Sequence, residues 1–493
     1  MLYTHEIGQV DEKLIGKKVK LCGWVDTIRD HGKIVFIDLR DRFGKVQCVI
    51  NQKKADFEKA KELTVESCIG IEGMVKARPK GTENPALKSG KVEVEVDRLE
   101  IFNICRPLPF DLHASNVDEE VRARYRFLDL RREELQKNLI LRHKIVKAFR
   151  DFFDKEGFIE IETPMLAKST PEGARDYIVP SRLHPGKFYA LPQSPQLFKQ
   201  LLMVAGFQKY FQIARCLRDE DLRADRQPEF TQVDVEMSFV TEDDIFDVVE
   251  RAMQYVFKQV FNYELKIPFP RLPYAEAMKK YGSDKPDLRK ELGQEYAFVW
   301  ITDFPLLEWS EEEKRYVAAH HPFCMPQDVE KIDENYKKDP LSIKARTYDL
   351  VLNGVELLSG SIRIHKPELQ MKVFEKLGIS KEEAEKKFGF LMNAFSYGAP
   401  PHGGFAIGLD RLVQILVKAP SIREVIAFPK NKEARDVMLD CPSEVSQRQL
   451  DEVHIRVVEA KEKKEVGKEG KVEGGEGKKE GKKRAKKKRR KKK

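Results

Sequence analysis

The first informative stretch of the chain is Phe211-Gln-Ile-Ala-Arg-Cys-Leu-Arg-Asp-Glu220, followed by a charged loop and by Gln227-Pro-Glu-Phe-Thr-Gln-Val-Asp-Val-Glu236. Arg218 and Glu220 are two residues apart, so a β-strand would project both side chains from one face. The second segment is predicted to be the return strand. Far downstream, Gly403-Gly-Phe-Ala-Ile-Gly-Leu-Asp-Arg411 ends in another arginine. Two arginines on separate elements suit a polyphosphate, because each guanidinium presents a planar fork of donors to phosphate oxygens.

The composition indicates a globular protein of two or three domains. The chain has 493 residues and is therefore too long for one hydrophobic core. Of these residues 41% are hydrophobic and 35% are charged. No apolar run approaches the ~20 residues that span a bilayer, and the N-terminus lacks the features of a signal peptide. Seven cysteines occur without a C-x-x-C pair, so neither a zinc site nor a disulfide framework is indicated. We therefore expect a cytoplasmic protein.

The positive charge is concentrated at the C-terminus. The whole chain carries +9, but Lys461 to Lys493 contains 18 Lys/Arg and six Glu, a balance of +12, which leaves −3 for the rest. A segment so rich in Lys, Glu and Gly cannot offset its ordering entropy by burying apolar surface, so disorder is predicted. Such a tail could tether RNA or other polyanions through phosphate contacts. It could instead be a localisation signal or a solubilising end.

Residues 1–105 show short alternating runs with one helical stretch, 53–63, after the third of them. Five strands with a helix in that position predict an OB-fold β-barrel, which commonly binds single-stranded nucleic acid. The predicted strands are 18–26, 34–40, 45–50, 68–77 and 92–102. A linker is predicted over 106–132.

The rest of the chain predicts an α+β domain around a mainly antiparallel sheet. Apolar positions recur with helical spacing from Glu133 to Glu156, Gly157 supplies a stop, and Phe158-Ile-Glu-Ile-Glu-Thr-Pro164 alternates as a strand. Further strands are predicted, separated by helices, at 174–180, 187–191, 210–217, 230–239, 346–353 and 355–364.

These segments resemble motifs 1, 2 and 3 of the class II aminoacyl-tRNA synthetases, at about 135–164, 211–239 and 403–417. Three further matches resemble the bacterial-type aspartyl-tRNA synthetases of subclass IIb: Ser169-Thr-Pro-Glu-Gly-Ala-Arg-Asp-Tyr177, Gln193-Ser-Pro-Gln-Leu-Phe-Lys199 and Ala318-Ala-His-His-Pro-Phe323. The resemblance covers residues 1 to about 455. It implies an OB-fold anticodon-binding domain at 1–105, a catalytic domain at 133–455, homodimerisation through motif 1, and a tail, 456–493, outside the match. The usual insertion between motifs 2 and 3 is expected to be missing, because only a few residues join 281–289 to 298–305.

By resemblance, the reaction joins L-aspartate to ATP and passes the aspartyl group to tRNA-Asp. Arg218, Glu356 and Arg411 would be catalytic. Arg218 would hold the α-phosphate and the substrate α-carboxylate, and Arg411 the γ-phosphate, while Gly403 and Gly408 would permit close backbone approach. The implied ATP-binding residues are Arg218, Asp219, Glu220, Gln227, Phe230, Glu356, Gly408, Leu409, Asp410 and Arg411. In this set Glu220 would contact adenine and Phe230 would stack on it. A surface ion-pair cluster is the alternative for Arg218 and Glu220.

Selection of aspartate against asparagine requires a buried cation that asparagine would leave unpaired. The implied aspartate-binding residues are Glu172, Ser194, Gln196, Lys199, Arg218, Asp234, His320 and Arg363. Lys199 and Arg363 would bind the side-chain carboxylate. Lys199 could otherwise be a solvated helix lysine, and His320-His321 a satisfied loop pair or a metal-ligand pair.

Asp349 and Glu356 flank Asn353-Gly354, a hairpin turn signal. Magnesium prefers carboxylates together with substrate phosphates, and in the family these two positions carry the Mg²⁺ bound to ATP. Two solvent-facing carboxylates are the alternative. Leu358 departs from the glycine triplet that is common in bacterial relatives.

Four residues match family positions that bind the anticodon: Phe36, Gln47, Arg78 and Glu93. Phe36 alternates with Val35 and Ile37, so we expect it to face outward, where it can stack on a splayed base; a core aromatic is the alternative. His31 and Gly81 lie on loops where some relatives relax tRNA choice, which leaves charging of tRNA-Asn open. Competing interpretations are a noncatalytic RNA-binding paralogue and an asparagine-forming ligase; neither HIGH nor KMSKS occurs, which argues against a class I synthetase.

Overall fold

A computed structural model describes residues 1–170, 173–311 and 313–458. The N-terminal part is a closed five-stranded barrel with strand order β1-β2-β3-β5-β4, as the alternating pattern predicted. Inward positions such as Val35 and Ile37 are fully buried, whereas the intervening residues are partly exposed. The barrel elements are β1 (Lys18–Asp30), β2 (Ile34–Arg40), β3 (Lys45–Asn51), α1 (Phe57–Lys61), β4 (Cys68–Ala77) and β5 (Val92–Asn103), preceded by short 3-10 turns at Ile7–Gln9 and Glu12–Leu14.

The predicted linker contains two short helices and is tied to both domains. Arg131 forms an ion pair with Glu66 of the barrel, with 2.7 Å between Nη1 and Oε2. Arg122 donates to both carboxylate oxygens of Glu424 at 3.1 and 2.9 Å. The helices are α2 (Glu119–Arg124) and α3 (Arg126–Asp129).

The second domain is built on an eight-stranded sheet. Its order is β11-β12-β15-β16-β17-β10-β9-β6, and only the β11–β12 and β6–β9 pairs are parallel. Two small hairpins, β7–β8 and β13–β14, lie apart from it. The strands are β6 (Ile159–Glu160), β7 (Ile178–Pro180), β8 (Phe188–Ala190), β9 (Lys209–Leu217), β10 (Glu229–Ser238), β11 (Arg271–Pro273), β12 (Phe298–Thr302), β13 (Leu307–Ser310), β14 (Arg315–Ala318), β15 (Thr347–Leu352), β16 (Val355–Ile362) and β17 (His402–Gly408). The predicted α+β architecture is confirmed.

Helices cover one face of this sheet and leave part of the other face open. The main core contains apolar side chains from the sheet and from α4, α6 and α12, including Phe153, Phe257 and Leu412. The helices are α4 (Glu133–Lys155), α5 (Gln196–Val204), α6 (Glu242–Phe261), α7 (Tyr274–Tyr281), α8 (Arg289–Leu292), α9 (Ile332–Lys338), α10 (Pro367–Lys376), α11 (Lys381–Phe395), α12 (Leu409–Val417) and α13 (Gln447–Glu452), with 3-10 turns at Pro340–Ser342 and Ile422–Glu424. No helix in the described ranges has the length and apolar character needed to cross a bilayer.

Several predicted bounds were wrong. The strand expected at 158–164 is only β6, because it lies at the sheet edge beside β9 alone. The strand expected at 174–180 begins at Ile178, and the helix expected at 53–63 spans only α1. The strand expected to carry both Arg218 and Glu220 ends at Leu217, so Arg218 follows it and Glu220 lies in the loop beyond. The predicted disordered tail lies outside the described residues from 459 onward.

Candidate active site

The open face of the sheet presents a row of small and acidic residues. Register pairs Asp349 with Ser359, Ser359 with Ala406, and Ala406 with Asp234 across β15, β16, β17 and β10. Because alternate residues of a strand share a face, Glu236 lies on the same side as Asp234. Above this floor is a cavity of about 560 Å³, within the size range of ligand sites.

Most of the predicted site residues line this one cavity. They are Ser194, Gln196, Lys199, Arg218, Glu220, Gln227, Phe230, Asp234, His320, Glu356, Arg363, Gly408, Asp410 and Arg411. Asp219, Asp349 and Leu409 do not line it, and Glu172 lies outside the described residues. The two arginines from distant segments, Arg218 and Arg411, thus share a cavity.

The cations predicted to bind the substrate carboxylate are buried and paired. Lys199, on α5, is 1% exposed. Its Nζ lies 3.0 Å from Oδ2 of Asp234 and 3.2 Å from Oε2 of Glu236. Arg363 follows β16, and its Nε donates to Oε1 of Glu236 at 3.0 Å. Lys199 is therefore not a solvated helix lysine.

The electrostatics of these carboxylates differ. Burial favours a raised pKa for Glu236, but Arg363 and Lys199 outweigh it and hold the pKa of Glu236 below its ordinary range. Burial dominates at Asp234 and raises its pKa despite the pairing with Lys199. Glu236 is thus a fixed negative charge between two cations, and a neighbouring cationic group would favour the charged form of Asp234.

In the described part of the chain, some buried polar side-chain atoms have no hydrogen-bond partner. Half of these atoms belong to residues that line this cavity. They are Gln196 Nε2, Arg218 Nε, Asp234 Oδ1 and His320 Nδ1. Buried polar atoms are normally hydrogen-bonded, so a cluster of exceptions needs a cause. A polar ligand that bonds to these atoms would supply it.

The arginines are held by different means. The backbone N–H of Arg218 donates to the carbonyl of Pro228 at 2.8 Å, which fixes the residue at the end of the β9–β10 hairpin. Its guanidinium lies 5.1 Å from the ring centroid of Phe230. Arg411, in the first turn of α12, has Nη2 3.4 Å from Asp225 and Nη1 3.6 Å from Oε1 of Glu356.

Two predicted nucleotide-binding residues make polar contacts with other parts of the protein. Asp410 accepts a hydrogen bond from the backbone N–H of Thr231 at 2.8 Å and is ion-paired with Arg142, which joins α12 to β10 and α4. Gln227 is hydrogen-bonded to the backbone of Lys430 through both its amide oxygen and its amide nitrogen. Their polar groups are therefore already engaged by the protein.

The predicted metal carboxylates lie on neighbouring strands. Asp349 is on β15 and is 3.4 Å from Nε2 of His320, while Glu356 is on β16 and is 2.8 Å from Nζ of Lys285. Burial acts to lower the pKa of His320, but Asp349 outweighs it and raises that pKa. Among the described residues, no group of three or more His, Cys, Asp or Glu could hold a metal. Two carboxylates fit magnesium carried by a nucleotide, because this ion uses few protein ligands besides phosphates and water.

Glycine at 404 serves the protein rather than a ligand. A Cβ at Gly404 would lie 2.0 Å from Oε2 of Glu236 and 2.2 Å from the carbonyl of Val235. The glycine therefore leaves room for the Glu236 carboxylate. At Gly408 a Cβ would meet only ordinary contacts at 3.5 Å or more, so close approach of a ligand stays a prediction there.

The barrel residues form a partly exposed patch. Gln47 and Glu93 are paired in register and hydrogen-bonded at 2.9 Å. Phe36 faces outward as expected, and its ring lies 5.6 Å from that of His31. Arg78 donates to the carbonyl of Val92 at 3.1 Å. Gly81 is in a left-handed conformation with φ +87 and open space where a Cβ would be.

Sequence reasoning missed Glu236, Lys285 and Ser359, which contact the predicted residues or line the cavity. Glu236 follows Asp234 by two positions in a strand, so period-2 alternation could have found it. The sequence near Lys285 carries no comparable signal, because its partner Glu356 is distant in the chain.

Two family models match the chain. The model for class II tRNA synthetases (D, K and N) matches residues 118–432, more than half of the chain, and an OB-fold nucleic acid binding domain matches residues 19–102. This chain belongs to the class II tRNA synthetases. Both matched regions coincide with the domains described above.

Curated relatives are similar to this synthetase over nearly its whole length. An aspartate--tRNA(Asp/Asn) ligase from Dictyoglomus turgidum is 46% identical, covering 94% of this chain and all of the relative. One of the same name from Thermotoga maritima is 44% identical, covering 93% of this chain and all of the relative. Asparaginyl-tRNA synthetase from Pyrococcus horikoshii complexed with asparaginyl-adenylate shares the fold, with a TM-score of 0.72 at 24% identity over 87% of this chain and 98% of that one.

Proposed function

We propose that this synthetase joins L-aspartate to ATP, releasing pyrophosphate, and transfers the aspartyl group from the adenylate to the terminal ribose of tRNA-Asp, releasing AMP. The observation that carries the proposal is the buried pair of cations, Lys199 and Arg363, in the same cavity as Arg218 and Arg411. The cations suit a side-chain carboxylate, and the two arginines suit a triphosphate. The names of the curated relatives support the same substrate.

Neither step needs a nucleophile from the protein. An oxygen of the aspartate carboxylate attacks the α-phosphorus, and the bond to pyrophosphate breaks; a ribose hydroxyl then attacks the acyl carbon and AMP leaves. Charge repulsion and alignment limit the first attack, so positioning and charge neutralisation supply most of the catalysis. Arg218 would neutralise the α-phosphate and orient the attacking carboxylate, while Arg411 would hold the γ-phosphate.

The remaining residues divide between nucleotide and amino acid. Glu220 and Phe230 would bind adenine, whereas Gln196 and Asp234 would receive the substrate ammonium group beside Ser194. The unpaired Asp234 Oδ1 supports that placement, because an ammonium donor would satisfy it. Asp349 and Glu356 would hold Mg²⁺ with the nucleotide, and the ion would neutralise phosphate charge.

A second candidate function is the charging of tRNA-Asn with aspartate as well. The names of the curated relatives include both tRNAs. In this chain His31 contacts Phe36, so the loop that carries His31 lies beside the proposed stacking position. Phe36, Gln47, Arg78 and Glu93 would bind the anticodon, with His31 and Gly81 setting how strictly it is read.

Two features of the assembly complete the proposal. The synthetase would be a homodimer, which is supported by exposed apolar side chains around motif 1, including Ile159, Leu166 and Ile178. The usual insertion between motifs 2 and 3 would be absent. The alignment with the Dictyoglomus turgidum relative runs over 594 positions although this chain has 493 residues, and α7 is followed closely by α8 and β12. Free thiols at all seven cysteines suit the cytoplasm.

The decisive experiment uses the full chain with ATP, labelled aspartate or asparagine, and transcripts of tRNA-Asp and tRNA-Asn. We expect aspartate on tRNA-Asp and no charging with asparagine; aspartate on tRNA-Asn would establish the wider specificity. Arg218→Gln should abolish charging. Arg215→Gln is the matched control, because Arg215 lies on β9, three residues before Arg218, but pairs with Glu229 outside the cavity. Failure of the unaltered chain with both transcripts would overturn the proposal.

A further inference from the structure

Lys285 reaches the active-site cavity from a loop between α7 and α8 that the assigned functions leave unused. The loop has a fixed place. Pro286 and Leu288 are buried, and Asp287 packs on the turn of the β15–β16 hairpin, where a Cβ on Gly354 would lie 3.2 Å from that of Asp287. Lys285 is therefore held next to the strands that carry Asp349 and Glu356.

The ammonium group of Lys285 is paired with a predicted metal ligand. Its Nζ lies 2.8 Å from Oε2 of Glu356, and the side chains of Lys285 and Glu356 are 40% and 30% exposed. Burial acts to lower the pKa of Lys285, but Glu356, Asp284 and Asp349 outweigh it and raise that pKa. The lysine is thus a charged group in the field of both predicted metal carboxylates.

An ammonium at this distance weakens the binding of a divalent cation by the same carboxylate, because the two positive charges repel each other at close range. Direct metal binding through Oε2 of Glu356 is therefore strongest when Lys285 has moved away. Arg411 is the other cation near Glu356, 3.6 Å from Oε1, so the released ammonium would remain in a region already suited to phosphates. Lysine is a flexible point charge that binds phosphate oxygens without strict geometry.

We propose that Lys285 is a substrate-binding residue with two positions: it neutralises Glu356 in the ligand-free enzyme and moves to the terminal phosphates of ATP when the magnesium nucleotide binds. This inference rests on the proposed function, since it takes ATP and Mg²⁺ as the ligands. Lys285 would compete with a metal ion that binds alone, and it would contribute to the binding of the metal nucleotide.

In this role, loss of Lys285 should strengthen the binding of free metal and weaken the binding of the metal nucleotide. A lysine that only balanced the charge of Glu356 would not have these opposite effects. In Lys285→Met, Glu356 loses its competitor, so Mn²⁺ without nucleotide should bind about threefold to tenfold more tightly, a range set by the partial exposure of the pair. The same variant should bind α,β-methylene ATP with Mg²⁺ about tenfold more weakly, because one phosphate contact is lost. Electron paramagnetic resonance of Mn²⁺ and titration calorimetry of the nucleotide analogue measure the two affinities.

Lys280→Met is the matched control, because Lys280 is an exposed lysine of α7 whose partner is Glu291, outside the cavity. It should leave both affinities unchanged, and Lys285→Arg should restore most of the nucleotide affinity. Unchanged or weaker Mn²⁺ binding in Lys285→Met, or unchanged nucleotide binding, overturns the inference. If the unaltered chain and Lys280→Met still charge tRNA with aspartate, such a result defeats this inference alone; loss of charging in the unaltered chain would defeat the proposed function.

Discussion

Lys199 and Asp234 form an ion pair that is almost wholly inaccessible to solvent, with 3.0 Å between Nζ and Oδ2. The desolvation of such a pair is costly, and ion pairs of this kind contribute little to stability compared with apolar packing. Here Glu236 and Arg363 complete a group of two cations and two carboxylates. A substrate with one ammonium and a second carboxylate could join it with opposite charges facing each other, whereas asparagine would leave the cations short of a partner.

Glu236→Gln tests whether this carboxylate positions the two cations. The change keeps the side-chain shape but removes the charge that holds Lys199 and Arg363, so KM for aspartate should rise about tenfold or more. KM for ATP should change little, because the cations that Glu236 holds, Lys199 and Arg363, are assigned to aspartate and not to the nucleotide. Steady-state pyrophosphate exchange at varied aspartate and ATP separates the two constants.

Glu250→Gln is the matched control for this variant. Glu250 is also a buried glutamate, but it accepts hydrogen bonds from Trp300 Nε1 at 3.0 Å and from the Phe269 N–H at 3.1 Å, away from the cavity. It should lower the unfolding temperature without a selective effect on KM for aspartate. Equal effects of both variants on the two KM values would refute a positioning role for Glu236.

The pH dependence of stability should contain a contribution from His321. Burial and then Arg363 lower the pKa of His321 well below its ordinary value. At mildly acidic pH the imidazole is therefore neutral in the folded protein and protonated in the unfolded chain. The unfolded state then binds more protons below pH ~6.5, and stability falls as the pH falls.

The measurement is urea unfolding of the unaltered chain and of His321→Gln from pH 8 to pH 5. The difference in unfolding free energy should be constant above pH ~7 and should then shrink by at most about 1.4 kcal/mol per pH unit on acidification. His320→Gln provides the contrast, because Asp349 raises the pKa of His320 and the slope should have the opposite sign. A pH-independent difference for His321→Gln would contradict this account.

Phe36 is expected to contribute to tRNA binding and not to adenylate formation. Stacking of a base on an aromatic ring contributes ~1–3 kcal/mol, so Phe36→Ala should lower kcat/KM for tRNA about 5- to 150-fold. Pyrophosphate exchange without tRNA should be unchanged. Phe102→Ala is the control, since Phe102 is an exposed aromatic of β5 that packs on Gly70; a similar loss of kcat/KM in both variants would rule out a specific stacking role.

The barrel could be predicted in detail because each strand has one buried face. β2 and β4 have the predicted bounds: buried and more exposed residues alternate along the whole of β2 and along residues 71–76 of β4. β17 was not predicted as a strand, although the motif it carries was recognised. Its glycines at 403 and 404 disfavour a strand by propensity, and they are accommodated because Ile362 and Glu236 occupy the space that side chains would take.

The cavity residues were predicted mainly from motif matches. Their shared location depends on how distant strands pair in register, which cannot be read from the sequence. Asp234 and Ala406 are aligned because β10 pairs with β17, two strands that are far apart in the chain. Lys285 could not be predicted for a related reason: its contact with Glu356 depends on how the loop after α7 packs against a hairpin. Long-range placement of this kind carries no local pattern of spacing.

Deletion of residues 461–493 should separate RNA capture from catalysis. The removed segment carries +12, so the full chain should bind tRNA more tightly at low salt, with an affinity that falls more steeply as salt rises. Adenylate formation should be the same in both proteins, because the match to the class II synthetases ends at residue 432, before the segment begins. Filter binding measures the tRNA affinity from 50 to 300 mM salt, roughly the range in which phosphate contacts are screened. Pyrophosphate exchange, run in parallel, measures adenylate formation. Equal salt slopes would show that the tail does not contact tRNA, and a loss of exchange on deletion would show that the tail supports the active site.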